Sequence, residues 1–466
     1  MIRTQAQERF IAGNRLEYTA GYEQLHFLTD TEASRARHRR DELLSALAGQ
    51  ALVGCGGTKL DHNNLAPGCQ RCVAGKWSCL FINGRCNARC FYCPTSQGET
   101  GLPATNTLEF RLPADYVGYL EAFGFTGASI SGGEPLLTPQ RSLAFISAIK
   151  RHFGANMHVW LYTNGLLFDD AMAARLRDAG LDEIRFDIGA TGYRLDALRK
   201  AVGVIPTVTV EIPAVPEEGE RLRDMLSELR TVGVDHLNLH QLRLTPYNFA
   251  ELAKRNYTFV HGEKVTVLES ELTALELLQF SHDQKIGLPI NYCSFVYKNR
   301  YQAAAARERN AQFLVKPVET LTDSGYLRTL TLQGSLADIA RQAEQFQSFG
   351  AASGSWSYGS SREQLVFAPQ LLSLVDFAPF TLQVAYAACR QMTSVSYRNP
   401  FVAVRVSDRM KVVVEKARQA VFDLSGAQIT DFIEVVLRVG DEKTLSGELA
   451  EMAPYEKLPA GLQDYY

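Results

Sequence analysis

Between residues 79 and 240 short apolar runs alternate with segments of helical period, and this alternation most narrows the folds open to the chain. The runs 79–82, 128–131, 159–162, 184–188, 207–212 and 236–240 are separated by stretches such as "PQRSLAFISAIKRHF", "DDAMAARLRDAG" and "GERLRDMLSELRTVG". Parallel neighbours need a crossover long enough to bring the chain back to the same end of the sheet, and a helix supplies it. An α/β fold with a parallel sheet is therefore expected, with ligands at the carboxyl ends of its strands. From about residue 318 the pattern changes. "YLRTLTLQG", "REQLVFAP", "FTLQVAYAA", "FVAVRVSD" and "MKVVVEKA" read as strands, with helices at "LADIARQAEQFQ" and "ITDFIEVVLRV", so an α+β domain closes the chain.

The chain has 466 residues, a net charge of −3, 46% hydrophobic and 21% charged residues, an ordinary globular balance with room for two or three domains. The start "MIRTQAQERF" is mixed and polar, and no apolar run approaches the roughly 20 residues that span a bilayer. A soluble, cytoplasmic protein without a membrane partner is expected. Lys and Arg are scattered rather than blocked, so nucleic acid is not an expected partner.

Seven of the nine cysteines fall between Cys55 and Cys93, too crowded for core filling, and a cytoplasmic chain has little use for disulfides. They read as ligands. In "CNARCFYCP" Cys86, Cys90 and Cys93 are separated by three and two residues. A structural zinc site closes its tetrahedron with a fourth Cys or His at short range, yet the next histidine is His152. A [4Fe–4S] cluster held by three thiolates keeps one iron free for an outside ligand.

The motif resembles the CxxxCxxC signature of the radical S-adenosylmethionine (radical SAM) superfamily, including the aromatic Tyr92 before the last Cys. Three further segments resemble that family in the right order. "GASISGGEPLL" carries Gly132, Gly133 and Glu134 at a strand end, "HVWLYTNG" carries Thr163 and Asn164, and "EIRFDIGA" carries Asp187. The resemblance implies a partial (β/α)6 TIM-like barrel over about residues 80 to 315. It also implies a methionine amine held by the "GGE" turn, a ribose beside "TNG", and Asp187 on the ribose or the substrate. Glu211, in "TVTVEIPAVP", is the counterpart of a strand that contacts adenine. The implied chemistry is reductive cleavage of S-adenosylmethionine to a 5′-deoxyadenosyl radical that takes a hydrogen atom from a peptide, a protein side chain or a small molecule. A flavodoxin- or ferredoxin-type reductant supplies the electron. The alternative is a non-catalytic iron–sulfur or zinc-binding electron-transfer module.

Upstream, Cys55, Cys69, Cys72 and Cys79 are spaced by thirteen, two and six residues, unlike the short ferredoxin runs. Three readings stand: a second, auxiliary [4Fe–4S] cluster on all four, a structural zinc, or unligated thiols. Cys79 also suits a buried strand position, in which case Cys293 of "PINYCSF" is the alternative ligand. Cys389, in "AYAACRQM", is a candidate hydrogen donor to a substrate radical, against the alternative of a core thiol. The expected domains are a helical segment 1–50, a cysteine-rich loop 51–79, the barrel 80–317 and a C-terminal α+β domain 318–466 that covers the barrel mouth or recognises substrate. Arg35, Arg37, Arg39 and Arg40 form a basic cluster read as a solvated helix face or a phosphate grip. Tyr292, Tyr297, Lys298, Arg300 and Tyr301 are candidates for substrate-facing positions.

Overall fold

The computed structural model describes residues 4–49, 52–61, 63–437 and 447–466. The boundary expected at residues 50 and 51 and the last residues of "ITDFIEVVLRV" lie outside them. The chain divides into one unit of residues 1–299 and 460–466 and a second of residues 300–459.

The first unit is built on an 11-stranded sheet. Seven strands run parallel in the order Trp77–Asn83, Gly127–Gly132, His158–Thr163, Glu183–Phe186, Thr207–Pro213, His236–His240 and Ile290–Cys293. All six expected strands are present, and Ile290–Cys293 adds a seventh. At one edge the hairpin Leu52–Gly54 and Lys59–Asp61 continues the sheet antiparallel to Ile290–Cys293. At the other edge Ala104–Thr105 and Leu108–Glu109 do the same.

The outward face of the barrel strands is apolar. Val208, Val210 and Ile212 are at most 1% exposed and point outward to the helices, while Thr209 and Glu211 alternate to the inner face. Helix Gly219–Val232 buries Leu222, Leu226 and Leu229, one stripe at helical spacing, each worth roughly 1.5–3 kcal/mol. Gly233 ends it with a φ of 102°, the left-handed position glycine adopts without penalty.

Helix Asp30–Leu47 starts from a capping box, Thr29 and Glu32 satisfying each other's backbone N–H groups. Two of its arginines serve the fold. Arg40 donates to the Gln463 carbonyl at 2.6 Å, pairs with Glu271 at 3.5 Å and stacks over Tyr465, while Arg37 donates to the Tyr465 carbonyl at 3.0 Å. The chain end is thereby tied to this unit.

The second unit is a 7-stranded antiparallel sheet built on the long pair Thr381–Met392 and Lys411–Leu424. Helix Leu336–Ser348 packs Ile339, Ala343 and Phe346 on Leu330, Leu365, Phe367 and Leu382. The five sequence-expected strands all form. Among the described residues no helix is long and apolar enough to cross a membrane.

Candidate functional site

After Asn83 the chain leaves the first barrel strand as an irregular loop that carries Cys86, Cys90 and Cys93. Backbone bonds fasten the start of this loop to the next strand end: Gly133 N–H donates to the Asn83 carbonyl and Glu134 N–H to the Arg85 carbonyl, both at 2.8 Å. A Cβ at Gly132 or at Gly133 would stand 2.1 Å from the Asn83 or the Arg85 carbonyl oxygen respectively, and Gly132 has a φ of 124°. The two glycines are needed for the close approach of the cysteine loop itself.

Glu134 is 1% exposed. Its carboxylate accepts from Leu136 N–H at 2.9 Å, Thr163 Oγ1 at 2.9 Å and Asn164 N–H at 2.8 Å. Burial raises its pKa to about 7 against these bonds. The side chain therefore locks the "GGE" turn to the "TNG" strand end. Asn164 extends the lock to the loop, its amide donating to Asn87 Oδ1 at 2.7 Å and to Cys86 Sγ at 3.6 Å.

Above these strand ends lies a cavity of about 570 Å³. Cys86, Cys90, Tyr92 and Cys93 border it from the loop, and Gly132, Gly133, Thr163, Asn164, Asp187 and Glu211 border it from the strands. Glu134 stands behind this wall. Tyr92 donates its hydroxyl to Asp187 at 2.9 Å, and burial raises the Asp187 carboxyl to about 6. Burial likewise raises the Cys90 thiol to about 12. Three thiols opening into one cavity match the donor set of a [4Fe–4S] cluster with one iron left for a further ligand.

Part of the cavity wall is charged. Arg185, 3% exposed, pairs with Glu183 at 2.7 Å and with Glu211, and Glu211 in turn meets His240. Lys298 Nζ stands 3.2 Å from His240 Nδ1. Burial would raise the Glu211 pKa, but Arg185 and His240 outweigh it and hold the carboxylate far below its usual range. Arg185 and His240 escaped the reading of the sequence, and Lys298 was noted only as one of several residues near the barrel's end. The signal was present: Glu183, Arg185 and Asp187 occupy every second position of "EIRFDIGA", so all three face the lumen while Ile184 and Phe186 face the helices.

The remaining cysteines separate into three places. Cys55, Cys69, Cys72 and Cys293 lie around Lys59. Burial would raise the Cys293 thiol, but Lys59, a hydrogen bond with His240 and Lys298 bring it to about 6. Cys79 faces Ser129, Ser131, Glu211 and Lys298. Cys389 is 1% exposed in the second unit, where burial raises it to about 11. Among the described residues no three His, Cys, Asp or Glu side chains converge as the ligands of a single metal ion would. That holds for Cys86, Cys90 and Cys93 as well, and thiolates on a cluster end on separate irons and stand wider apart.

A family model for the radical SAM superfamily matches residues 80–229. A putative glycyl-radical enzyme activating enzyme of Methanocaldococcus jannaschii is 30% identical over 298 residues, covering 61% of this chain and 78% of the relative. A GTP 3′,8-cyclase of Lactiplantibacillus plantarum is 34% identical over 121 residues, covering 26% of this chain and 35% of the relative. Among solved structures, methylornithine synthase shares 14% identity over 62% of this chain and 86% of its own, with a TM-score of 0.33. The chain belongs to the radical SAM superfamily. Its members are enzymes that use S-adenosylmethionine on a [4Fe–4S] cluster and take an electron from an external reductant.

Proposed function

We propose that the protein directs a 5′-deoxyadenosyl radical, supplied by S-adenosylmethionine bound at the cluster of Cys86, Cys90 and Cys93, to a carbon–hydrogen bond of a peptide or protein. The observation that carries this reading is that the three thiols, the glycine turn and the "TNG" end border the same cavity as the charged wall of Arg185, Glu211, His240 and Lys298. In it, Gly132 and Gly133 present backbone to the methionine part, Thr163, Asn164 and Asp187 stand beside the ribose, and Tyr92 keeps the Asp187 carboxyl in place. The relative of Methanocaldococcus jannaschii, whose name implies a protein substrate, supports the peptide side of the proposal. A cytoplasmic flavodoxin- or ferredoxin-type protein is the proposed reductant, a second [4Fe–4S] cluster is part of the reading, and the C-terminal α+β domain is proposed to recognise substrate.

A small anionic metabolite is the second reading, favoured by the cations Arg185, Lys298 and Arg243 in the cavity wall. The test begins with anaerobic reconstitution and reduction, expected to release 5′-deoxyadenosine and methionine from S-adenosylmethionine. A protein that binds iron or zinc and releases neither is an electron-transfer or metal-binding module. Candidate peptides and metabolites are then incubated in deuterated solvent. Deuterium in the product marks return of a hydrogen by an exchangeable donor, and loss of two hydrogens marks oxidative coupling.

A further inference from the structure

The geometry points to a second [4Fe–4S] site ligated by Cys55, Cys69, Cys72 and Cys293, with Cys79 outside it. It deepens the reading above and rests on it for the class of cluster, while the ligand set comes from the fold alone. Three separate elements deliver these thiols to the surroundings of Lys59. Cys55 opens the turn between Leu52–Gly54 and Lys59–Asp61, and it has a φ of 51°, followed by Gly56 at 58° and Gly57 at 84°. A left-handed cysteine persists only where its surroundings impose it. Here the carbonyl of Cys55 accepts from both Thr58 N–H at 3.2 Å and Thr58 Oγ1 at 2.8 Å.

Helix Pro67–Val73 brings Cys69 and Cys72, three residues apart and so on one face. It is pressed against the lumen at Gly68, whose N–H donates to Glu183 Oε2 at 2.9 Å and where a Cβ would stand 2.4 Å from Arg185 Nη2. Cys293 comes from the last parallel strand, directly opposite Lys59 in the antiparallel register.

Lys59 and Tyr297 stand beside these thiols. The Lys59 ammonium is 4.8 Å from the centroid of the Tyr297 ring, and the Tyr297 hydroxyl is 3.2 Å from Cys72 Sγ. Lys59 is 3% exposed and within electrostatic reach of Cys55, Cys69, Cys72 and Cys293. Four thiolates on a cluster leave a net negative charge, and one buried ammonium beside them offsets part of it. Cys79 instead turns to Ser129 and Ser131 on the neighbouring strand. The site also adjoins the reaction cavity, because Cys293 is the register partner of His240, which bonds Glu211 and Lys298 in the cavity wall.

The test removes the first cluster so that residual iron reports the second alone. The C86A/C90A/C93A variant, reconstituted anaerobically, is expected to keep about four irons per chain. Adding Cys293→Ala should remove them, whereas adding Cys79→Ala should leave them. The reverse pattern, an iron-free triple variant, or zinc held in place of iron overturns the proposal. In the same triple background Tyr297→Phe removes a single hydroxyl at little cost to folding. It is expected to keep the irons and to lower the reduction midpoint, since hydrogen bonds to cluster sulfur raise it, and an unmoved midpoint counts against the site. Formation of 5′-deoxyadenosine by the wild type is read separately: its failure with these irons intact sinks the radical reading and leaves this one standing.

Discussion

The three thiols of the loop and the four thiols around Lys59 are brought together by opposite means. Cys86, Cys90 and Cys93 sit within eight residues of irregular chain, partly exposed, anchored through backbone bonds at the strand end behind them. Cys55, Cys69, Cys72 and Cys293 span a hairpin, a short helix and the last barrel strand, with a buried cation among them. The first group is local and needs the barrel only as a platform. The second exists only once the sheet has closed from Lys59–Asp61 to Ile290–Cys293. Their different dependence on the fold makes them separable by mutation.

The largest effect is expected for the triple C86A/C90A/C93A variant. Its cleavage of S-adenosylmethionine, measured as 5′-deoxyadenosine, should fall to background while circular dichroism stays that of the wild type, since the loop contributes little to the core. A variant that still makes 5′-deoxyadenosine would refute the assignment of the loop. Next in size is Gly133→Ala, which drives a methyl group into the Arg85 carbonyl, 2.1 Å away. The loop must shift, and cleavage should drop at least about tenfold, the equivalent of about 1.4 kcal/mol. Normal turnover would mean that the loop does not depend on this backbone seam.

Glu183→Gln addresses the other group. Glu183, fully buried, accepts from Gly68 N–H, Arg185 Nε, His158 Nε2 and Thr209 Oγ1. Removing its charge leaves Arg185 poorly paired, and urea unfolding of the holoprotein should show a loss of about 3–5 kcal/mol, with the irons of the thiols around Lys59 released first. Burial alone would raise the Glu183 pKa, but Arg185 and His158 outweigh it and bring it down to about 2. Its contribution is therefore full above the unfolded value near 4.5 and is lost as pH falls from there towards about 2. The wild type should lose stability across that window, and the variant should lack that part of the slope. The smallest effect is expected for Tyr92→Phe, which removes one hydroxyl from Asp187 at a cost of about 1 kcal/mol. It should weaken S-adenosylmethionine binding several-fold and leave the iron content unchanged. Loss of iron would show that Tyr92 holds the loop rather than the carboxylate.

Much of this was legible in the chain. Short-range motifs report themselves because their members are covalent neighbours, as with Cys86, Cys90 and Cys93, the "GGE" turn and the "TNG" strand end. The six strands were legible because their outward faces are apolar. Less was legible of the lumen. Arg185 and His240 lie on strands whose hydrophobic residues dominate the pattern, and the inward charges find partners only on adjacent strands: Arg185 with Glu211, and Glu211 with His240.

The sequence by itself determined the parallel α/β architecture and the three-cysteine loop, because both are set by residue period and by spacing along the chain. Only the tertiary structure decided which of the remaining cysteines meet. Cys79 is only seven residues from Cys72, yet strand alternation turns it toward Ser129 and Ser131. Cys293, more than two hundred residues away, arrives beside Lys59 because sheet register places it there. Proximity in the sequence says little about proximity in space once a crossover helix separates two strands, and hydrogen-bond register, which depends on the whole sheet, then selects the neighbours.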